Sequence, residues 1–442
     1  MYNRLVFSAL MILSLTTIFS QQTLQKNDTL IISLSDVWLK ADEHSREIEI
    51  AKKEVEIRNE EILDTRLEVL PELAINGSAE KATNIPIYNN GLFHTPTQHE
   101  IIHTIYKVSG DFFLNIYNGN RLNLKIKETK VLCQLSSIQR DQTIANVRYE
   151  SAKLYLELQK SYVFLHLVEK DIIDQEKQVE EIRAFNKNGV SLKNDVFRIE
   201  LDLSRRKLLL LQIQNDILIA NQKLNIIIGE PDDLKLIPQE FFNPNINHLP
   251  SYEECLQIAE HHSFQYHISE QKTELSKINL SQIKANYRPQ IALTGEFYYS
   301  NPQIFLFPYN PYWYSLGLVG IKVSYPLSSV YHNLHKKRAA IFEVEKEEEA
   351  HHQTADSVRQ QVNEAYLRYK ESLIKIEVAT VNVKQAVENA RIIKNAYFNQ
   401  TVLVTDLLDA DVQVLQTEFE LESAKIEAQI NYYLLQNVLG II

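Results

Sequence analysis

The chain of 442 residues is 45% hydrophobic and 23% charged, a balance typical of folded rather than disordered proteins. Its formal net charge of -11 argues against a nucleic-acid partner, because phosphate binding needs clustered lysine and arginine. Ten glycines are few for this length, which argues against glycine-rich nucleotide loops and favours long regular elements. The two cysteines, Cys133 and Cys255, cannot form a CxxC metal or redox motif.

The first twenty residues have the pattern of an export signal. Arg4 provides the positive charge, Leu5 to Phe19 form the apolar segment, and the small residue Ser20 follows. We therefore predict a signal peptide at 1–20 and a lead segment at 21–33, with an uncleaved N-terminal anchor as the alternative. Beyond residue 20 no apolar run has the length of a transmembrane helix. The mature protein is therefore expected to be either secreted and soluble or inserted in a membrane as strands.

The sequence contains an internal duplication. The segment 71–77 (PELAING) superposes on 289–295 (PQIALTG), and further along the chain Asp195 matches Asp406. In the same alignment the helix breaks, the turns and the apolar periodicities of the two halves also fall at matching positions. The predicted organisation is a first repeat at 34–230, a linker at 231–250 and a second repeat at 251–442.

Each repeat is predicted to run helix, strand, loop, strand, very long helix, turn, helix. In the first repeat the first helix covers Asp36 to Arg66, with apolar residues at seven-residue steps and Pro71 marking its end. Four segments of the chain alternate between apolar and polar residues, as half-buried strands do. Each is about ten residues long, enough to cross a bilayer when tilted. The predicted strands are about 72–82, 104–116, 290–300 and 313–327.

These strands have two possible environments. A sheet with one face on a soluble core would alternate in the same way. A membrane is favoured because the apolar faces include glycine and alanine, the opposite faces carry charge, and the second loop is rich in the aromatic residues that suit a membrane boundary. Four strands cannot close into a barrel and open edges in lipid are costly, so a spanning form needs several chains. The charged residues are Lys107, Asp111, Glu296 and Lys322, and the aromatic ones are Phe297, Tyr298, Tyr299, Phe305, Phe307, Tyr309, Tyr312, Trp313 and Tyr314.

Two helical hairpins are predicted, at about 119–228 and 332–439, with turns at 185–194 and 397–405. At 1.5 Å per residue the first helix of such a hairpin would reach about 100 Å. The returning helix of each hairpin has apolar residues at a 3.5-residue period, which is typical of left-handed coiled packing. In the first hairpin only Arg206 interrupts this apolar seam.

With this layout the chain resembles the outer-membrane efflux protein family, the TolC-like exit ducts of Gram-negative bacteria. The resemblance covers the mature sequence from Leu34 to Ile442. It rests on the duplicated layout, on a helix-to-strand step at 70–73 (LPEL), on a strand-to-helix step at 115–119 (NIYNG) and on the two hairpin turns. No single motif is specific, but the ordered set at matching places in both halves is.

The resemblance implies a mainly α protein with a membrane β-barrel portion. It implies a homotrimer in which each chain contributes four strands to a twelve-stranded barrel in outer-membrane lipid, continued by a long periplasmic α-helical barrel. Such ducts pass cargo to the exterior together with an inner-membrane pump and a periplasmic adaptor, in tripartite efflux or type I secretion. They are not enzymes and use no cofactor. The resemblance does not specify the cargo, the pump or the adaptor.

The resemblance also implies roles for residues of the hairpin turns. The positions that match the family's periplasmic gate are Asp195, Tyr397, Asp406 and Asp409. The positions that match its adaptor contacts are Gly189, Val190, Gln400 and Thr401. Two residues depart from the pattern, since Gln400 stands where the family usually has glycine and Val402 where its best-known member has a gate arginine. The salt bridge between the turns and the docking of an adaptor at the second turn are therefore expected to differ.

The paired carboxylates of Asp406 and Asp409 have two compatible interpretations. Asn194 and Thr405 occupy equivalent positions expected for helix N-caps, and acids in a first turn interact favourably with the helix dipole. Trimer symmetry would also crowd the carboxylates around a narrow opening, where they attract cations. A catalytic role would need a cleft and a base or metal partner, and neither turn contains a histidine or a nucleophile motif.

The histidines lack ligand spacing tied to a defined local structure, so we predict solvated surface residues and no metal site. The clustered ones are His94, His99, His103, His261, His262, His351 and His352. The rival function is an exported, soluble periplasmic coiled-coil scaffold or adaptor whose sheets pack on a small core.

Overall fold

The computed structural model describes residues 29–239, 250–303 and 310–442. The predicted signal peptide, most of the lead segment, half of the linker and three loop aromatics (Phe305, Phe307 and Tyr309) lie outside the described residues. The chain divides into two compact units, and each takes segments from both predicted repeats. The first unit contains the described parts of 1–49, 142–262 and 359–442, and the second contains those of 50–141 and 263–358.

Most of the described chain is helical. Two helices are very long, with 67 and 65 residues, and neither contains the proline or glycine that would interrupt it. None of the described helices is both long and apolar enough to span a membrane. The helices are α1 (Leu34–His44), α2 (Arg46–Leu67), α3 (Arg121–Lys187), α4 (Lys193–Ile228), α5 (Tyr252–His262), α6 (Phe264–Ala285), α7 (Ser329–His332), α8 (Leu334–Phe398) and α9 (Val404–Leu439).

The helix predicted over Asp36 to Arg66 is divided at Ser45, so the prediction of one continuous helix was wrong. Ser45 has an extended backbone (φ -64°, ψ 123°), and its carbonyl accepts the first hydrogen bond of α2 from the amide of Glu49 (3.0 Å). Serine is a favoured residue at such a helix start. Ser263, at the matching position of the second repeat, separates α5 from α6 with nearly the same backbone (φ -62°, ψ 120°).

Four strands of the second unit form one antiparallel sheet in the order β2-β5-β7-β8. Two shorter pairs were not predicted: β3 and β4 form a hairpin within the first loop, and β1 and β6 form a parallel pair in the first unit. The strands are β1 (Thr29–Ile32), β2 (Glu72–Lys81), β3 (Ile85–Ile87), β4 (Thr97–His99), β5 (Thr104–Tyr117), β6 (Lys235–Pro238), β7 (Gln290–Asn301) and β8 (Tyr314–Ser324).

One face of the four-stranded sheet is apolar and exposed. The register places Leu73 opposite Phe112, Phe112 opposite Gly295, and Gly295 opposite Val319, so that the predicted apolar positions of all four strands share this face. Ile75 is 88% exposed and Val319 is 84% exposed. The other exposed apolar residues on this face include Val108, Phe297, Ile321 and Val323.

The opposite face of the sheet carries its charged residues, together with a few apolar ones such as Leu316 and Leu318. Lys107 of β5 forms an ion pair with Glu296 of β7 (2.6 Å), and Asn76 of β2 donates a hydrogen bond to Asp111 of β5. Each pair joins neighbouring strands, which is the usual unit of sheet stabilisation. These charged residues are therefore partnered across the strands.

The core of the first unit lies between α1, α3, α4, α9 and the strand pair β1 and β6. Helices α4 and α9 have 36 residues each, and they begin at Lys193 and Val404, which are matching positions of the two repeats. Both end at a glycine with a left-handed backbone, Gly229 (φ 72°) and Gly440 (φ 76°). The apolar seam of α4 is buried at Ile199, Ile213, Ile217, Ala220 and Leu224, as its period predicts, while at its C-terminal end Ile228 is buried and the predicted Ile227 is half-buried.

Candidate functional site at the hairpin turns

Each helical hairpin reverses through a short turn, which we call the first turn (188–192) and the second turn (399–403). Both lie inside the turns predicted from the sequence. Both turns belong to the first unit. Their geometry decides which of the predicted site residues can act together.

The first turn ends α3 with a Schellman motif, in which two amides bond back to carbonyls of the last helical turn. Gly189 has a left-handed backbone (φ 76°), and its amide donates to the carbonyl of Asn186 (3.0 Å). The amide of Val190 donates to the carbonyl of Phe185 (2.8 Å). Glycine is the residue that adopts this conformation without a steric cost.

The second turn repeats these bonds with a different residue at the left-handed position. Gln400 has φ 60°, and its amide donates to the carbonyl of Tyr397 (2.8 Å). The amide of Thr401 donates to the carbonyl of Ala396 (3.0 Å), and the Thr401 hydroxyl donates to the same oxygen (2.8 Å). The turn therefore keeps the geometry of the first one although it lacks glycine.

The predicted N-caps were wrong by two residues. Leu192 and Leu403 are the N-cap residues of α4 and α9, so Asn194 and Thr405 lie inside the first helical turn. A leucine side chain has no acceptor for the free amides of the helix start. The capping contact comes instead from the third helical residue. Asp195 accepts a hydrogen bond from the amide of Leu192 (3.1 Å), and Asp406 accepts one from the amide of Leu403 (3.0 Å).

The four predicted gate residues have different surroundings. Tyr397 is half-buried, and burial followed by the nearby charge of Asp195 raises the pKa of its hydroxyl. The structure therefore brings Tyr397 of the second hairpin near Asp195 of the first. Asp406 and Asp409 are exposed on α9, where the intervening Leu407 is fully buried. Val402, one of the two predicted departures from the family pattern, is half-buried and provides no charge.

The two turns are held together by apolar contacts. The rings of Phe185 and Phe398 meet edge to face with centroids 5.6 Å apart. Beside them a small core joins α3, α4 and α9, and it includes the side chain of Tyr397 at its edge. The buried members of this core are Val179, Ile182, Ile199, Val404 and Leu407.

The predicted adaptor contacts all lie on the surface. Gly189, Val190, Gln400 and Thr401 are exposed. The two N-cap leucines, Leu192 and Leu403, are also exposed and were not singled out from the sequence. The sequence signal that could have pointed to them is that they occupy matching positions in the two repeats. Each turn thus exposes an apolar side chain close to its left-handed residue.

A buried ionic cluster lies further along the same helices and was missed by sequence reasoning. Arg206, noted only as an interruption of the seam, has a side chain that is 4% exposed and forms ion pairs with Asp171 of α3 and Asp202 of α4. Asp411 of α9 accepts hydrogen bonds from two glutamine side chains of α3 in the same region. The signal that could have found it is a charged residue in an apolar seam, since such a residue needs buried partners.

Within the described ranges no group of three or more His, Cys, Asp or Glu residues could hold a metal ion. His351 makes a hydrogen bond with the Ser269 hydroxyl (2.7 Å) and packs on the Tyr266 ring (4.6 Å between centroids). His103 bonds the carbonyl of Ala82 (2.9 Å). These histidines therefore have structural partners.

The model of the outer membrane efflux protein family matches residues 258–441. The predicted family resemblance is confirmed.

Solved channels match nearly the whole chain. CusC superposes with a TM-score of 0.78 at 15% identity, over 92% of this chain and 92% of CusC. VceC from Vibrio cholerae superposes with a TM-score of 0.73 at 16% identity, over 92% of this chain and 96% of VceC. The open state of MtrE from Neisseria gonorrhoeae superposes with a TM-score of 0.72 at 17% identity, over 92% of this chain and 89% of MtrE.

At these identities the solved channels establish a shared fold. Each is described as an outer-membrane protein or a transmembrane channel. No curated protein matches the chain.

Proposed function

We propose that this chain is a subunit of an outer-membrane channel that passes cargo from the periplasm to the exterior, in a tripartite efflux or type I secretion system. The observation that carries the proposal is the two-faced sheet β2-β5-β7-β8. Its apolar face is exposed along the length of the strands, while its other face carries partnered charges. Exposing apolar surface of this extent to water is unfavourable, and contact with lipid removes it from water. The protein is thus located in the outer membrane, with a large periplasmic portion.

The edges of the sheet favour assembly of several copies. Among the described strands, β2 and β8 each have one neighbour. An unpaired edge in lipid leaves backbone groups without hydrogen bonds. Three copies would join β8 of each chain to β2 of the next and close a twelve-stranded barrel, which is wide enough for a lumen.

The helices of the first unit also favour a ring of copies. Helix α4 has an exposed apolar stripe, and a groove between α8 and α9 has an apolar floor that includes Phe164 and Phe419. The stripe of one copy is suited to cover the groove of the next. Such a head-to-tail contact closes into a ring when the rotation permits. The stripe consists of Phe197, Leu201, Leu208, Leu211, Leu218 and Ile226, and the groove includes Ile374, Val378, Ala379 and Ala424.

In this assembly the hairpin turns form the periplasmic end. Asp195, Tyr397, Asp406 and Asp409 serve as the gate, and the exposed carboxylates of α9 favour cations because like charges are crowded there. The turns also contact a periplasmic adaptor that links the channel to an inner-membrane pump. The contact residues are Gly189, Val190, Gln400 and Thr401. The chain is a transport protein and not an enzyme.

The second candidate is an exported, soluble coiled-coil scaffold. The long hairpins suit it, but it leaves the apolar face of the sheet in water. The deciding experiment is single-channel conductance of the purified protein in a planar bilayer, with its oligomeric state in detergent measured in parallel. We expect a detergent-stable trimer and discrete conductance steps. If neither a trimer nor any conductance is found, the channel proposal is wrong and the scaffold is favoured.

A further inference from the structure

The buried ionic cluster consists of Asp171, Asp202, Arg206 and Asp411. Arg206 of α4 is in contact with two carboxylates: its Nη1 pairs with Asp171 of α3, and its Nε lies 2.7 Å from Asp202, one helical turn earlier. The Arg206 side chain is 4% exposed, and the Asp171 and Asp202 side chains are 19% and 13% exposed. The two helices of the first hairpin are thus joined by charge in a nearly dry environment.

Asp411 connects the second hairpin to this cluster. Its Oδ2 accepts hydrogen bonds from the side-chain amides of Gln178 (3.0 Å) and Gln175 (3.3 Å), which both belong to α3. The charges of Arg206 and Asp171 act on Asp411 as well. The contacts of one carboxylate therefore hold α9 against the first hairpin.

The cluster does not balance its own charge. Three carboxylates face one guanidinium, and unpaired charge is costly where water is excluded. Burial raises the pKa of the carboxyls of both Asp171 and Asp411, despite the opposing effect of Arg206. Among the described residues the Arg206 Nη2 and the side-chain oxygens of Gln175 and Gln178 have no hydrogen-bond partner. Uptake of a proton would reduce the excess negative charge and supply a donor for one of these oxygens.

The hairpin fold does not require this cluster. At the corresponding positions of the second hairpin, Asn382 replaces Asp171 and Thr417 replaces Arg206. Thr417 is buried but donates only within its own helix, to the carbonyls of Gln413 and Val414 (both 2.9 Å). The same packing position is therefore occupied in α9 without charge. The ionic cluster is therefore a feature of the first hairpin and not of the hairpin fold that both repeats share.

We propose that the ionic cluster is a proton-dependent latch, which holds α9 of the second hairpin against α3 and α4 of the first more tightly at acidic than at neutral pH. The sign follows from linkage, because the packed state binds the proton more tightly than a state whose carboxyls face water. Acid therefore favours the packed helices, and rising pH favours their separation. The latch needs only the packing within one chain and does not depend on the channel proposal.

The groups that face the latch come from all four helices. Arg206 and Asp202 lie on α4, Asp171 on α3 and Asp411 on α9. Lys394 of α8 acts on Asp411 and, like Arg206, favours its ionised form. Glu418 of α9 interacts with Asp171 and adds negative charge. Carboxylates outnumber cations in this set, so its net charge still favours proton uptake.

Hydrogen–deuterium exchange of the folded, full-length protein tests the latch. The peptide covering 404–414 is compared at about pH 4, near the ordinary pKa of an aspartate, and at about pH 8, after correction for the intrinsic pH dependence of exchange. Since one unit of pKa shift changes the ratio of packed to separated states tenfold, we expect protection to fall by about threefold to tenfold at the higher pH. Asp411→Asn keeps the shape without the charge, so its protection should be high at both pH values.

A matched control and a second variant keep the test decisive. Asp216→Asn removes an exposed carboxylate of α4 outside the cluster and should behave like the wild type. If Asp411→Asn does not fold, Asp171→Asn replaces it and should also reduce the pH dependence. The latch is wrong if wild-type protection is independent of pH or rises with pH. It is equally wrong if the cluster variants keep the wild-type dependence or if Asp216→Asn loses it.

Discussion

Gln400 has the left-handed backbone conformation of Gly189, its counterpart in the first turn, with φ values of 60° and 76°. For residues with a Cβ atom this conformation costs roughly 1–2 kcal/mol. The two amide bonds that close the turn, from Gln400 to Tyr397 and from Thr401 to Ala396, hold the glutamine in place. The second turn therefore stores a local strain that the first turn lacks.

The strain predicts that Gln400→Gly stabilises the protein. We expect the free energy of unfolding to rise by about 0.5–1 kcal/mol, because relief of the strain exceeds the extra flexibility of glycine in the unfolded chain. Thermal unfolding measures the change. The matched control is Gly189→Ala, which introduces a Cβ at the same conformation and should lower the free energy of unfolding by about 1 kcal/mol. Equal effects of the two substitutions would contradict the explanation.

Asp406 and Asp409, three residues apart at the start of α9, are predicted to differ in their effect on stability. Asp406 accepts a hydrogen bond from the amide of Leu403, so Asp406→Ala should cost about 1 kcal/mol of unfolding free energy. Asp409 is exposed, and Asp409→Ala should change it by less than about 0.5 kcal/mol. Thermal unfolding separates the two variants. In the proposed channel both substitutions should also reduce cation selectivity in planar bilayers, and unchanged selectivity would leave Asp406 as a helix cap only.

Alternation and helical periodicity predicted the main elements because these patterns extend over many residues. The four strands of the sheet agree closely with their predicted bounds, and β8 differs most because it ends at Ser324 instead of near 327. The break at Ser45 was missed because the seven-residue apolar pattern continues through it. The pair of β1 and β6 was missed because each strand has 4 residues, too few for a visible alternation.

The site was harder to predict than the fold. The N-caps were misplaced because Leu192 and Leu403 have no side-chain acceptor, so the polar residues Asn194 and Thr405 were the more obvious choice. The ionic cluster was missed because its members come from three helices, and only Asp202 and Arg206 lie close together in the sequence. Asp411 in particular resembles any solvated helix residue until α3 is packed against it. Partners in a folded structure cannot be read from a single periodic pattern.

The apolar face of the sheet predicts a strong difference between charges on its two sides. Val319→Arg places a charge on the exposed apolar face, and in a lipid environment it should destabilise the assembly by about 2–4 kcal/mol. Thr294→Arg is the control, since Thr294 of the neighbouring strand lies on the opposite face, which carries the charged residues. The yield of heat-resistant oligomer in native outer membranes or detergent measures the effect. If both variants assemble equally well, the apolar face does not contact lipid.

Tyr433 predicts a specific loss of stability in alkali. Burial, followed by the influence of Tyr432, raises the pKa of Tyr433 to about 12, above the ordinary value of about 10. A raised folded-state pKa stabilises the protein fully below pH 10, and this contribution is lost as the pH rises from about 10 to about 12. In the Tyr433→Phe variant the unfolding temperature should therefore fall less steeply than in the wild type as the pH rises over that range. Tyr331→Phe, at a 65% exposed position, should leave the steepness unchanged.

Substitution of Arg206 is expected to lower the free energy of unfolding more than any other single substitution in this Discussion. Arg206→Met would leave the buried carboxylates of Asp171 and Asp202 without their cation, and removing one partner of a buried pair typically costs about 3–5 kcal/mol. Arg205→Met is the control, because Arg205 is exposed on the same helix and should change stability by less than about 0.5 kcal/mol.

A double substitution separates the lost ion pair from lost packing. In Arg206→Met with Asp171→Leu, both partners become apolar, so much of the stability should return. Acid should also reduce the cost of Arg206→Met alone, because the carboxylates then bind protons and no longer need the cation. Chemical unfolding at acidic and neutral pH measures both effects. A double variant that is less stable than Arg206→Met by the full cost of a second lost side chain would show that the two residues act independently, and the ion pair would then have no part in holding α3 against α4.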